Sequence, residues 1–112
     1  MAGINFEQRW TVQDRYGNKI YLTDERWQHI TGSSNHPEML DYEDYLQATI
    51  QSGRRRQDPL NLQKYRYSLE FDDLIEDNTH IVAIVLCRFT EGFEGKLHPN
   101  NYIVTAYQKA VW

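Results

Sequence analysis

Leu62-Gln63-Lys64-Tyr65-Arg66-Tyr67-Ser68-Leu69-Glu70-Phe71 decides the fold class. Apolar and polar side chains alternate along it, the period-2 pattern of a strand with one covered face and one open face. Tyr65, Tyr67, Leu69 and Phe71 point to the covered side, and Lys64, Arg66, Ser68 and Glu70 to the open side. Downstream, residues 81–87 are continuously apolar, as a central strand requires, and residues 101–107 read as a last strand. Its alternation assigns Tyr102, Val104 and Ala106 to the core and Ile103, Thr105 and Tyr107 to the other side. Residues 90–100 contain Gly92, Gly95 and Pro99 and read as a long hairpin loop.

Upstream of the quoted stretch the period changes. Residues 9–14 and 19–22 are short runs joined by Arg15-Tyr16-Gly17-Asn18, which is hairpin chemistry. Thr23 or Asp24 then caps a helix reaching about Ile30, with acids in its first turn and Gly32 as a stop. Pro37 opens a second helix carrying Met39, Tyr42, Leu46 and Ile50 at helical spacing, ended by Gly53. The expectation is an α+β fold: a short N-terminal hairpin, two helices, then a three-stranded antiparallel meander forming a twisted sheet with the helices on one face. It is read as a single domain over residues 1–112, with a core of about 9–107.

Composition narrows the class. Of 112 residues, 40% are hydrophobic and 13% aromatic, enough for a packed core. The lone cysteine, Cys87, permits no internal disulfide and suits a reducing, cytoplasmic setting. Residues 1–10 do not read as a signal peptide, and no apolar run is long enough to span a bilayer, so no membrane partner is expected. The net charge of −4 argues against a general nucleic-acid binder, but charge is segregated. Between Arg54 and Arg66 five bases face one acid, Asp58; between Glu70 and Asp77 there are five acids and no base.

The candidate chemistry lies with histidines, cations and tyrosines. His29, near the end of the first helix, and His36, in the following loop, are the side chains best suited to move protons near neutral pH. Their separation of seven is not a metal-ligand spacing. Arg66 and Lys64 are suited to hold phosphate, and the alternation puts Arg66, Thr105 and Tyr107 on one side. The Arg54–Arg56 run adds guanidinium groups, and tyrosines such as Tyr65 and Tyr67 are able to stack on bases. RNA cleavage needs a base for the 2′-hydroxyl, cations for the crowded phosphate and an acid for the leaving oxygen, and no metal.

Leu22-Thr23-Asp24-Glu25-Arg26-Trp27-Gln28-His29-Ile30, followed by His36-Pro37-Glu38, resembles a signature of small bacterial and phage-borne proteins of the barnase–RelE–colicin-like RNase superfamily. The likeness continues through the aromatic-basic-aromatic Tyr65-Arg66-Tyr67, the apolar run of residues 81–86 and Ile103-Val104-Thr105-Ala106-Tyr107. The resemblance implies helices followed by an antiparallel sheet, and a metal-independent endoribonuclease without cofactor, often the toxin of a toxin–antitoxin pair. It implies a site of His29, His36, Arg66, Thr105 and Tyr107; the residues themselves add Arg54, Arg55, Arg56, Lys64, Tyr65 and Tyr67 as candidate phosphate and base contacts. RNA and an antitoxin protein are the partners it implies; the oligomeric state is left open. Two other readings fit the same residues: a non-enzymatic protein-binding module, and a nuclease fold without catalysis.

Overall fold

Tyr67 is fully buried in the core, on a strand flanked by neighbours on both sides. The computed structural model describes residues 7–111; residues 1–6, on which much of the signal-peptide reading rests, and residue 112 lie outside the described residues. The strands are β1 (Gln8–Gln13), β2 (Lys19–Thr23), β3 (Arg54–Asp58), β4 (Asn61–Glu70), β5 (His80–Glu91) and β6 (Leu97–Lys109). Between β2 and β3 come α1 (Asp24–Ile30), a 3₁₀ helix at Pro37–Tyr42, and α2 (Glu43–Ser52). The spatial order is β1-β2-β6-β5-β4-β3. Every neighbouring pair is antiparallel except β2 and β6, which run parallel and meet at Tyr21 and Tyr102.

The chain is α+β, but the sheet is six-stranded and mixed. That overturns the expected three-stranded meander with a separate N-terminal hairpin. The hairpin partners β1 and β2 belong to the main sheet, because β2 docks on β6. The Arg54-Arg55-Arg56-Gln57-Asp58 run is an edge strand paired with β4. It carries no apolar alternation to announce it, and its charges suit an edge that must not pair with another chain. The expected loop over residues 90–100 is mostly strand: β5 and β6 pair out to Glu91 and Leu97. Pro99 is tolerated there because it lies opposite Phe89 at a level where β6 has no second strand neighbour.

A bulge decides which side chains of β6 face the core. Ile84 pairs with Thr105 but Val85 pairs with Ile103, so Val104 is an extra residue on β6. Ile103 and Ala106 are fully buried, whereas Tyr102, Thr105 and Tyr107 all lie on the open face. Strict alternation misassigned Tyr102, Val104 and Ile103 for this reason.

The core joins Ile20 and Leu22 of β2, Trp27 and Ile30 of α1, Met39, Leu46 and Ile50 of the second helical segment, and Tyr67, Ile81, Ala83 and Val85 of the sheet. Each large apolar side chain so buried contributes about 1.5–3 kcal/mol. Thr23 caps α1, its Oγ1 accepting from the Arg26 N–H at 3.0 Å. Arg9 bonds Asp24 and Glu43, and Trp10 Nε1 donates to Glu43 Oε2 at 2.8 Å, fastening β1 to both helices. Gly53 lets α2 turn into β3: a Cβ there would lie 2.3 Å from the Thr49 carbonyl oxygen and 2.7 Å from that of Ser68. No helix among the described residues is long and apolar enough to cross a membrane.

Candidate functional site

Directly opposed residues on neighbouring strands point to the same face, so the register maps the open face row by row. One row reads Arg56, Arg66, Ile84 and Thr105 across β3 to β6. The next reads Arg54, Ser68, Val82 and Tyr107, and beyond it come Glu70, His80 and Lys109. On the other side of the first row lie Lys64, Leu86, Tyr102 and, on β2, Tyr21.

Two adjoining hollows mark this face. One, of about 320 Å³, has Arg54, Arg56, Arg66, His80 and Lys109 around a floor of Val82 and contains no acid in its lining. The other, of about 270 Å³, shares Arg56 and Arg66 and adds Lys64 and Tyr107. Lys64 is within 3.8 Å of Asp58, but Arg54, Arg56 and Arg66 make no ion pair among the described residues. Arg56 and Arg66 are direct cross-strand neighbours. Like charges so placed destabilise a sheet, and an anion bound between them removes that repulsion while accepting charge-assisted hydrogen bonds.

His36 joins this face from the α1 side. Its ring packs on Tyr107 with centroids 5.7 Å apart and an interplanar angle of 33°. The loop holding it is pinned: the His36 N–H donates to the Ile30 carbonyl, the Met39 N–H to the His36 carbonyl, and Asn35 Nδ2 to the His29 carbonyl. Glu38 Oε2 lies 3.7 Å from His36 Nδ1, within ion-pair reach of a protonated ring. Arg66, Thr105 and Tyr107 thus share the open face, and His36, which lines neither hollow, meets it through the Tyr107 ring.

The remaining candidates lie elsewhere. His29 is exposed on α1, lines neither hollow, and its ring makes no hydrogen bond among the described residues. Tyr67, Tyr65 and Arg55 belong to the covered side by register, although Arg55 also borders the first hollow and Tyr65 the second. Tyr67 is fully buried and cannot stack on a base. Its hydroxyl donates to Asp14 Oδ2 at 2.5 Å. Arg55 is sandwiched between Tyr16 and Tyr65, its guanidinium carbon 4.3 and 4.5 Å from the two ring centroids.

Asp14 anchors this covered cluster and is only 4% exposed. It also accepts from the Tyr16 N–H at 2.9 Å and from Asn18, backbone and side chain, at 2.8 and 3.1 Å. Burial pushes its carboxyl pKa up, but the bonds from Tyr67, Asn18 and Tyr16 outweigh that and hold it below the ordinary aspartate value. Burial, then the Asp14 bond, pushes the Tyr67 hydroxyl well above the usual tyrosine range.

His80 and Lys109 of the basic hollow escaped sequence reasoning. The signal existed in the register, since both follow Glu70 across the strands, but β6 had to be extended past Tyr107 to see it. Compared with protein families, curated proteins and solved structures, the chain matches none.

Proposed function

We propose that this chain binds single-stranded RNA on its open sheet face and cleaves it by metal-independent transesterification. The observation that supports this best is the position of Tyr107, which packs on His36 and also lines the hollow of Arg56 and Arg66. A proton-transfer group and an unpaired guanidinium pair therefore border the same side chain. In this reading a phosphodiester lies between Arg56 and Arg66. His36 takes the proton of the ribose 2′-hydroxyl, the 2′-oxygen bonds to phosphorus, and the bond to the 5′-oxygen breaks. That leaving oxygen takes a proton from water, and Arg66 balances the charge that builds on the phosphoryl oxygens. Thr105 and Tyr107 orient the strand.

The test is cleavage of a single-stranded RNA in excess chelator. The wild type is expected to cleave it, His36→Ala to lose about 100-fold or more in kcat, and His29→Ala to stay within about twofold because its ring is outside the site. Intact RNA after incubation with folded wild-type protein, across pH 5 to 9, rules the reading out.

A further inference from the structure

A third hollow opens on the same face at the seam between β2 and β6. Tyr21 and Tyr102 are paired there, their ring centroids 6.0 Å apart and tilted by 38°, and they form an aromatic floor. The Tyr21 hydroxyl donates to Asn100 Oδ1 at 2.6 Å. That bond occupies the carbonyl end of the amide, and Asn100 Nδ2 has no partner among the described residues. Glu25 and Arg26 from the first turn of α1 complete the lining of a space of about 310 Å³. Arg26 makes no ion pair among the described residues.

The chemistry differs from that of the basic hollow. There, cations gather without an acid, which suits phosphate. Here one guanidinium is offset by one carboxylate, so net positive charge is missing, and the recognition surface consists of aromatic faces with N–H donors at the rim. Such a surface fits a flat ring that presents carbonyl or ring-nitrogen acceptors at its edge. The register puts Tyr102 in the row beside that of Arg66 and Thr105, and roughly 15 Å along β6 from Tyr107. A few nucleotides span that separation.

We infer that the Tyr21–Tyr102 hollow is a nucleobase subsite, holding one base of an RNA strand whose phosphates lie on Arg56 and Arg66. The base stacks on Tyr102 and Tyr21, and Asn100 Nδ2 with Arg26 donates to its acceptor edge. This inference rests on the RNA reading above, and goes beyond it by naming where a base is read.

The experiment uses fluorescence anisotropy with a labelled octamer of 2′-O-methyl RNA, which cannot be cleaved, and an abasic strand of equal length and charge. Wild-type protein is expected to bind the base-bearing strand about tenfold more tightly than the abasic one. Tyr102→Leu removes that preference, about fivefold or more, and leaves the abasic strand unaffected; Tyr102→Phe retains it. Arg66→Ala weakens both strands alike. Asn100→Asp keeps the acceptor for Tyr21 and replaces the amide donors by a carboxylate, so it weakens the base-bearing strand about threefold more than the abasic one, whose loss reports charge alone; it serves as the second variant if Tyr102→Leu fails to fold. Wild-type affinity for both strands in Tyr102→Leu and Asn100→Asp, or equal weakening of both strands by these two, overturns the subsite while leaving the RNA reading intact. Failure of the wild type to bind either strand overturns both.

Discussion

Arg54, Arg55 and Arg56 are consecutive, yet they occupy opposite environments. Arg55 lies on the covered face between two tyrosine rings, next to the buried Asp14–Tyr67 pair. Arg54 and Arg56 lie on the open face, exposed and without an ion pair among the described residues. The covered cluster closes on itself: Asp14 accepts from Tyr67 and Asn18, and Arg55 is held between two rings. The open cluster does not, and its cations face one another. Strand alternation alone separates the two, so a pair of adjacent arginines differs in role because it differs in parity.

This contrast can be broken most severely at Asp14. Asp14→Ala leaves the Tyr67 hydroxyl buried without its acceptor and frees the β1–β2 turn, and urea denaturation is expected to show a loss of about 3 kcal/mol. The acid limb carries the same signature. The folded-state pKa of Asp14 is depressed, so its contribution is complete above the ordinary value of 3.8 and is lost as pH falls through the lower folded value. Wild-type protein should lose stability on acidification through that window, and Asp14→Asn should show a shallower dependence. An unchanged acid dependence in Asp14→Asn would remove Asp14 from the covered anchor.

A smaller effect is expected at Arg55. Arg55→Ala removes stacking on Tyr16 and Tyr65 and should lower stability by about 1–2 kcal/mol, read from the same denaturation curves. RNA affinity should stay within about twofold. A larger drop in affinity than in stability would place Arg55 on the wrong side of the comparison. The smallest stability change belongs to Arg54. Arg54→Ala should stay within about 0.5 kcal/mol of wild type, weaken RNA binding about threefold, and reduce the slope of log affinity against log salt by about one. An unaltered salt slope would show that Arg54 touches no phosphate.

How much of this was legible beforehand follows from the range of each signal. The faces of β4 were legible in the Tyr65-Arg66-Tyr67 alternation, because side-chain direction in a strand is local. The capped α1 was legible for the same reason, in Thr23-Asp24-Glu25. The edge strand β3 was not, because its residues do not enter the core and so carry no hydrophobic period. The parallel contact of Tyr21 with Tyr102 and the bond of Tyr67 to Asp14 join residues far apart in the chain, and no local pattern announces them. At the candidate site, Arg66, Thr105 and Tyr107 could be set on one side by counting, the latter pair because both precede no bulge within their half of β6. The contact of His36 with Tyr107 depends on how the loop after α1 meets the β6 edge, which packing decides. Placing Tyr67 against RNA ignored the burial that the alternation itself demanded.

The extra residue Val104 acts as a change of phase within one strand. On its far side β6 counts odd positions outward; on its near side it counts even ones. A single strand therefore carries two independent addresses, with Thr105 and Tyr107 directed to the cationic rows and Tyr102 to the β2 seam, while Ala106 and Ile103 still meet the core. Deleting that one residue would leave a regular ladder with every side unchanged, whereas a strand that took in Val104 without bulging would carry Tyr102 into the core and turn Ile103 to water. Insertions of this kind are how a sheet with a fixed period of two can place chemistry at spacings that period forbids.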